Sequence, residues 1–183
     1  MKKMSPNFTP RTQQIISLSK KLAKQHRNRD IILEHLFLAF LKSDSFILPF
    51  LINKFGIDYE NLVELVESTL DMENIPKDNQ SVSFSEETKE CLELAYELSS
   101  DRSHSYVSVE HLLYAMITQN NSTIPEYFLI CDVDLEEIKI SLEELLDSEM
   151  GQSPFIAIAA ALQNQESQMS QMSPPQLPSK ILE

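Results

Sequence analysis

The chain has 183 residues, with 28 acidic and 15 basic side chains, two glycines, two cysteines and no tryptophan. Its net charge of −13 argues against nucleic acid as a general partner, because phosphate would be repelled. No Gly-x-x-x-x-Gly-Lys-Ser/Thr phosphate loop occurs, two cysteines are too few for a disulfide framework, and no apolar run approaches the roughly 18 residues of a membrane span.

Met1-Lys2-Lys3 is basic, but no apolar run follows it, so no signal peptide is read there. With so few cysteines, this points to a reducing cytoplasm. A first helix is predicted from about Thr9 to His26. Thr9 suits the N-cap, and Pro10 suits the first turn, where its missing N–H costs nothing. Ile15, Leu18 and Leu22 form an apolar stripe at helical spacing. Arg11, Lys20, Lys21 and Lys24 fall mostly off that stripe. Residues 1–30 carry +7, leaving −20 for the rest. The basic face is either simply solvated or a surface for an acidic or phosphorylated peptide.

A second helix begins near Glu34. Its run Leu36-Phe37-Leu38-Ala39-Phe40-Leu41 is apolar nearly all round and belongs at the centre of a bundle. A third includes Phe46 to Phe55 and stops at Gly56, where a positive φ is cheap. A fourth starts at Asp58, with Leu62, Leu65, Val66 and Leu70 at helical spacing. Met72 to Ser83 is polar, contains Pro76 and reads as a connector. The next helix, about Ser85 to Ser100, has Ser85 as cap, Glu86 and Glu87 in its first turn, and Leu92, Ala95 and Leu98 inward. Another begins near Glu110 and carries Leu112 to Ile117. The last begins at Asp134, where Asp134-Leu135-Glu136-Glu137 approaches a capping box. No alternating strand pattern is found. The fold class is therefore all-α.

After Met150-Gly151 the character changes. Residues 163–179 are rich in Gln, Ser, Met and Pro and read as disordered. Phe155 to Leu162 is apolar and reads either as a short docking helix or as the end of a linker.

The second half of the chain repeats the first. A shift of 76 residues, with no gap, lays Phe8 on Phe84, Thr12 on Thr88, Leu22 on Leu98, Ala39 on Ala115, Pro49 on Pro125 and Asp58 on Asp134. Glu34-His35-Leu36 falls on Glu110-His111-Leu112. Residues 8–73 and 84–149 are thus two copies of one four-helix unit, forming a domain over 8–149 with a tail over 150–183. Cys91 takes the place of Ile15 and Cys131 that of Phe55, so both are expected to be buried free thiols.

Each copy has an aromatic followed by a hydroxyl residue, a helix, a short loop, and Glu-His-Leu leading an apolar helix. The second gives Phe84-Ser85, then His104-Ser105-Tyr106-Val107-Ser108-Val109-Glu110-His111-Leu112-Leu113. This resembles the Clp repeat, the paired four-helix unit at the N-terminus of the Clp AAA+ chaperones. It is more similar to the branch that works with the Clp peptidase than to the disaggregases. Two departures stand out. Ser108-Val109 replaces the family's Gly-Thr, and in the first copy Ile32-Leu33 stands there, with Asp30 for the family's tyrosine.

The resemblance implies a non-enzymatic protein-binding module without cofactor or metal. Its expected partners are a Clp AAA+ ATPase or peptidase, an adaptor or a client protein, and not nucleic acid or a membrane. The family's ATPase modules are missing. If the chain is whole, it is a free-standing adaptor, substrate-recognition or regulatory accessory. The alternatives are a helical scaffold repurposed in a secretion or phage-related assembly, and the N-domain with linker of a longer Clp ATPase.

His35 and His111, each after a glutamate, suggest a metal or acid–base pair. A locally hydrogen-bonded structural histidine explains the recurrence without catalysis, and no Ser-His-Asp or Cys-His pattern accompanies them, so no catalytic residue is expected. In Gram-positive members of the resembling family, such glutamates and the hydroxyl residues form two symmetric pockets for phosphoarginine. The matching positions are Thr9 with Glu34 and Ser85 with Glu110, which also read as ordinary helix-start residues. Arg11, Lys20, Lys21 and Lys24 are a possible partner surface. Phe46, Ile47, Phe50, Tyr127 and Phe128 read as core or inter-repeat packing, or as a face that holds a partner.

Overall fold

The computed structural model describes residues 7–72 and 82–147. The interior of the connector and the tail, including Phe155 to Leu162, lie outside them. The described residues form α1 (Pro10–Gln25), β1 (Asp30–Ile31), α2 (Leu33–Leu41), α3 (Ile47–Phe55), α4 (Tyr59–Met72), β2 (Ser83–Phe84), α5 (Glu86–Asp101), α6 (Val109–Thr118), α7 (Ile124–Ile130) and α8 (Leu135–Leu146). The all-α class and the predicted helix starts hold.

The capping chemistry explains those starts. Thr9 Oγ1 accepts from the Thr12 N–H and Ser85 Oγ from the Thr88 N–H, each at 3.2 Å. Asp134 accepts from the N–H groups of Glu136 and Glu137. Each cap satisfies helix donors that would otherwise lack a partner. Gly56 closes α3 with φ 63°, and Asp132, its counterpart after α7, has φ 65°. Arg27 and Ser103, also 76 apart, share the left-handed conformation at 57° and 58°.

α2 and α6 are the middle of the molecule. Every residue of α2 is buried, and all of α6 except Tyr114 and Thr118. At about 1.5–3 kcal/mol for each large apolar side chain, burial is strongest in these two helices. α1 lies on α2 and touches α6; α5 lies on α6 and touches α2. On the other side of this pair, α4 packs on α2, α8 on α6, and α7 on α2, α4, α6 and α8.

The inward faces of α1 and α5 hold Ile15, Leu22 and Ala95 as expected but not Leu18, Leu92 and Leu98. They are lined by Thr12, Ile15, Ser19, Leu22 and Ala23, and by Thr88, Cys91, Ala95 and Ser99. Leu18, Leu92 and Leu98 are half-buried against the core. Small side chains let helices approach closely, which pushes the leucines to the edges of each contact. Cys91 is fully buried, and burial pushes its thiol up to about 12. Cys131 is only half-buried, contrary to expectation. It is the C-cap residue of α7, where the chain turns toward the surface.

The sequence showed no strand, yet the copies are joined by short parallel pairings. Ile31 pairs with Phe84 between β1 and β2, and Phe8 bridges to Val107. Ser85 N–H donates to Ile31 O and Thr9 N–H to Val107 O, both at 3.1 Å. Phe8 corresponds to Phe84 and Ile31 to Val107, so one contact is made twice, reciprocally. Each copy's entry segment is held by the other copy's loop. A pairing two residues long has no alternation to detect.

Candidate functional site

The loop entering α2 turns at Ile32, whose N–H donates to His35 Nδ1 at 3.0 Å. With Nδ1 accepting, the ring proton sits on Nε2, 2.9 Å from Asn28 Oδ1. His35 is fully buried, and its pKa falls to about 4, first through burial and then through the neighbouring His26. The loop entering α6 repeats the device. Ser108 N–H donates to His111 Nδ1 at 2.9 Å, and Ser108 Oγ lies 2.8 Å away. His111 Nε2 faces His104 Nδ1 at 2.8 Å. Burial, then His104 and Arg102, hold His111 well below the usual histidine range, and burial also lowers His104. Each imidazole fills the place that Glu or Gln fills in a capping box. Both nitrogens of each ring are engaged, so the geometry serves to hold a helix start.

The two glutamates differ. Glu34 Oε2 accepts from Thr123 Oγ1 at 2.5 Å and from the Tyr127 hydroxyl at 3.2 Å. Tyr127 Oη also lies 3.0 Å from Thr69 Oγ1. Its pKa rises to about 12, chiefly through burial, with the Glu34 carboxylate adding to the rise. This chain of groups joins α2 and α4 of the first copy to the head of α7 in the second. Glu110 is as deeply buried, but the positions matching Thr123 and Tyr127 are Ile47 and Leu51, which carry no donor.

Thr9 and Ser85 are N-caps whose hydroxyls also meet Thr12 Oγ1 and Thr88 Oγ1 at 2.8 and 2.9 Å. Their backbone N–H groups reach across to the other copy. Thr9 is bonded to the loop that leads to Glu110, and Ser85 to the loop that leads to Glu34. The backbone thus groups Thr9 with the Glu110 loop and Ser85 with the Glu34 loop, the reverse of the within-copy pairs.

On α1, Lys20, Lys21 and Lys24 are exposed, and Arg11 is half-buried. Arg11 reaches Gln14 Oε1 at 3.5 Å and Asp44 at 4.0 Å, exposed contacts of small energetic weight. Lys20 Nζ stands 5.6 Å from the centre of the Phe84 ring. An open groove of about 420 Å³ runs along this helix past Gln13, Gln14, Ser17, Leu18 and Lys21. Ile47, Tyr127 and Phe128 are buried, and the last two pack on Phe37 with ring centres 6.0 and 5.4 Å away. Tyr127 and Phe128 are thus inter-repeat packing and Ile47 is core; Phe46 and Phe50 remain half-buried. The residues that sequence reasoning missed are Asn28, Thr69 and Thr123. For the Glu34 network the one visible signal was the hydroxyl pair Thr123 and Tyr127, standing where the first copy has Ile47 and Leu51.

Residues 7–129 and 83–172 match the family model of the Clp repeat (R) N-terminal domain. The chaperone protein ClpB of Oceanobacillus iheyensis is 26% identical over 176 residues, which is 96% of this chain and 21% of that protein. The chain therefore spans about a fifth of that relative's length (21%). The Hsp104 N-terminal domain from Candida albicans superposes with a TM-score of 0.68 at 22% identity, covering 80% of this chain and 96% of that one. A ClpV N-domain in complex with a VipB peptide gives 0.56 at 14% identity, covering 76% and 91%. These structural likenesses establish a common fold. With the doubled Glu-His-Leu heads and the family match over most of its length, the chain belongs to the Clp repeat N-terminal domain family.

Proposed function

We propose that the chain is a non-enzymatic protein-recognition module that acts with a Clp AAA+ ATPase, delivering or selecting client proteins for its protease or chaperone activity. The observation that carries this reading is the family match joined to partial coverage: the chain corresponds to about a fifth (21%) of a Clp ATPase. The ClpV N-domain that holds a VipB peptide supports protein binding as the use of such a fold. The same coverage supports a second reading, that the chain is the N-domain of a longer Clp ATPase, and the gene sequence beyond Glu183 distinguishes the two.

We read Glu34 as a strut between repeats, with its carboxylate committed to Thr123 and Tyr127, rather than as a receptor for phosphoarginine. The proteins it meets would be cytoplasmic, in keeping with its free thiols. Pull-down with the folded chain from its native cell should retain a Clp ATPase or Clp peptidase, identified by mass spectrometry. Repeated failure with a bait whose helical circular dichroism is intact would overturn the reading.

A further inference from the structure

The copies share a backbone but carry opposite charge on one pair of equivalent helices. α1 holds Arg11, Lys20, Lys21 and Lys24 and no acidic residue; α5 holds Glu86, Glu87, Glu90, Glu93, Glu97 and Asp101 against Lys89 alone. All six acidic residues of α5 are exposed, as are the three lysines of α1. Both helices rest on the α2–α6 pair, and each begins against the loop that follows the other, which places them on one side of the molecule. They run in opposite senses. Thr9, at the start of α1, is bonded to the loop after α5, while Ser85, at the start of α5, is bonded to the loop after α1. Lys20, in the later turns of α1, accordingly lies over Phe84, just before α5.

A surface with a basic and an acidic helix side by side is self-complementary. Turn a second copy about an axis parallel to the helices, and its α1 lies over α5 while its α5 lies over α1. This is the isologous arrangement of two-fold dimers. Each stacked pair is then antiparallel. The lysines crowd the C-terminal half of α1, and Glu86, Glu87, Glu90 and Glu93 crowd the N-terminal half of α5. Antiparallel stacking brings those two ends together. The three lysines and four glutamates also suit the helix dipoles, cations at a C-terminus and anions at an N-terminus.

We propose that α1 and α5 form a surface through which two copies of this chain associate about a two-fold axis. At 16 residues each, the helices are roughly 24 Å long and together offer on the order of 500 Å² per partner. That is below the roughly 800 Å² of a standard interface, so the dimer is weak and electrostatically steered. The net charge of −13 opposes it at long range. Salt near 0.1 M, with a Debye length of about 10 Å, screens that repulsion more than it screens groups in contact.

Sedimentation equilibrium of the full chain tests this. The average mass should rise from 21.0 kDa toward twice that value through the micromolar range at about 0.1 M salt. It should fall back at about 1 M salt, where the Debye length is about 3 Å. The variant Lys20→Glu/Lys21→Glu/Lys24→Glu should be monomeric alone, as should Glu86→Lys/Glu90→Lys/Glu93→Lys. Mixed, the two should form a heterodimer, because both stacked pairs regain opposite charge. Circular dichroism shows that each variant is folded. A wild-type mass that stays monomeric, dimers that survive either reversal, or a mixture of folded variants that stays monomeric would overturn the proposal. A monomeric chain whose α1 captures a foreign acidic peptide belongs to the first of these outcomes. The Clp partnership is tested separately by the pull-down, so either idea can fail without the other.

Discussion

His35 shows how one side chain can be legible in sequence and still acquire its meaning from its surroundings. The repeat marks it as important, and the geometry makes it a helix-start acceptor whose second nitrogen serves Asn28. An unfolded histidine titrates near 6.5, whereas His35 in the fold titrates near 4. Between those values the unfolded chain binds a proton that the folded chain does not. His35 therefore contributes fully above about pH 6.5, and its contribution drains away as the pH falls toward 4. His111, also lowered by burial, acts in the same direction. The combined loss is on the order of a few kcal/mol. The urea midpoint should drop between about pH 7.5 and about pH 5. His35→Gln/His111→Gln, which keeps an acceptor at the capping position, should flatten that drop; an equal drop would refute the assignment. The Glu34 network was not readable in this way. Nothing in the sequence says that a glutamate in one copy meets a threonine 89 positions later.

Helix ends were the most readable elements, because capping is local chemistry. Thr9, Ser85, Gly56 and Asp134 each do what their residue type suggests. Helix faces were less readable. The inward side of α5 is set by its fit against α6, which favours Thr88, Ala95 and Ser99 over the larger leucines. Gly56 offers a test at this scale. A Cβ added there would meet no heavy atom within 4 Å, so its cost is that of φ 63° alone. Gly56→Ala should lower stability by about 1 kcal/mol, and Gly56→Asn by less, since Asn tolerates the left-handed region. Asp132 holds the same conformation in the second copy. Chemical denaturation of both variants measures this, and an Ala variant as stable as the wild type would contradict it.

At the scale of the molecule, contacts in both directions tie the two copies together. The pairings Ile31–Phe84 and Phe8–Val107, the Thr123–Glu34 bond and the packing of Phe128 on Phe37 all cross between them. A separated copy would expose the all-apolar face of α2 or α6. Residues 8–73 and 84–149, made separately, should each lack a cooperative thermal transition, and mixing them should restore one. A single copy that melts sharply alone would show that the interface is dispensable.

The sequence by itself determined the duplication, the helical class and the helix ends, and it placed the chain's resemblance. These depend on patterns within a few turns, or on similarity that needs no coordinates. Only the tertiary structure decided which copy each group serves. It put Thr9 on the second copy's loop, Ser85 on the first copy's loop and Glu34 under Thr123, and it set a basic helix beside an acidic one. Contacts between residues far apart in the chain depend on how the two repeats dock. A 76-residue offset records that the repeats are alike, not how they meet.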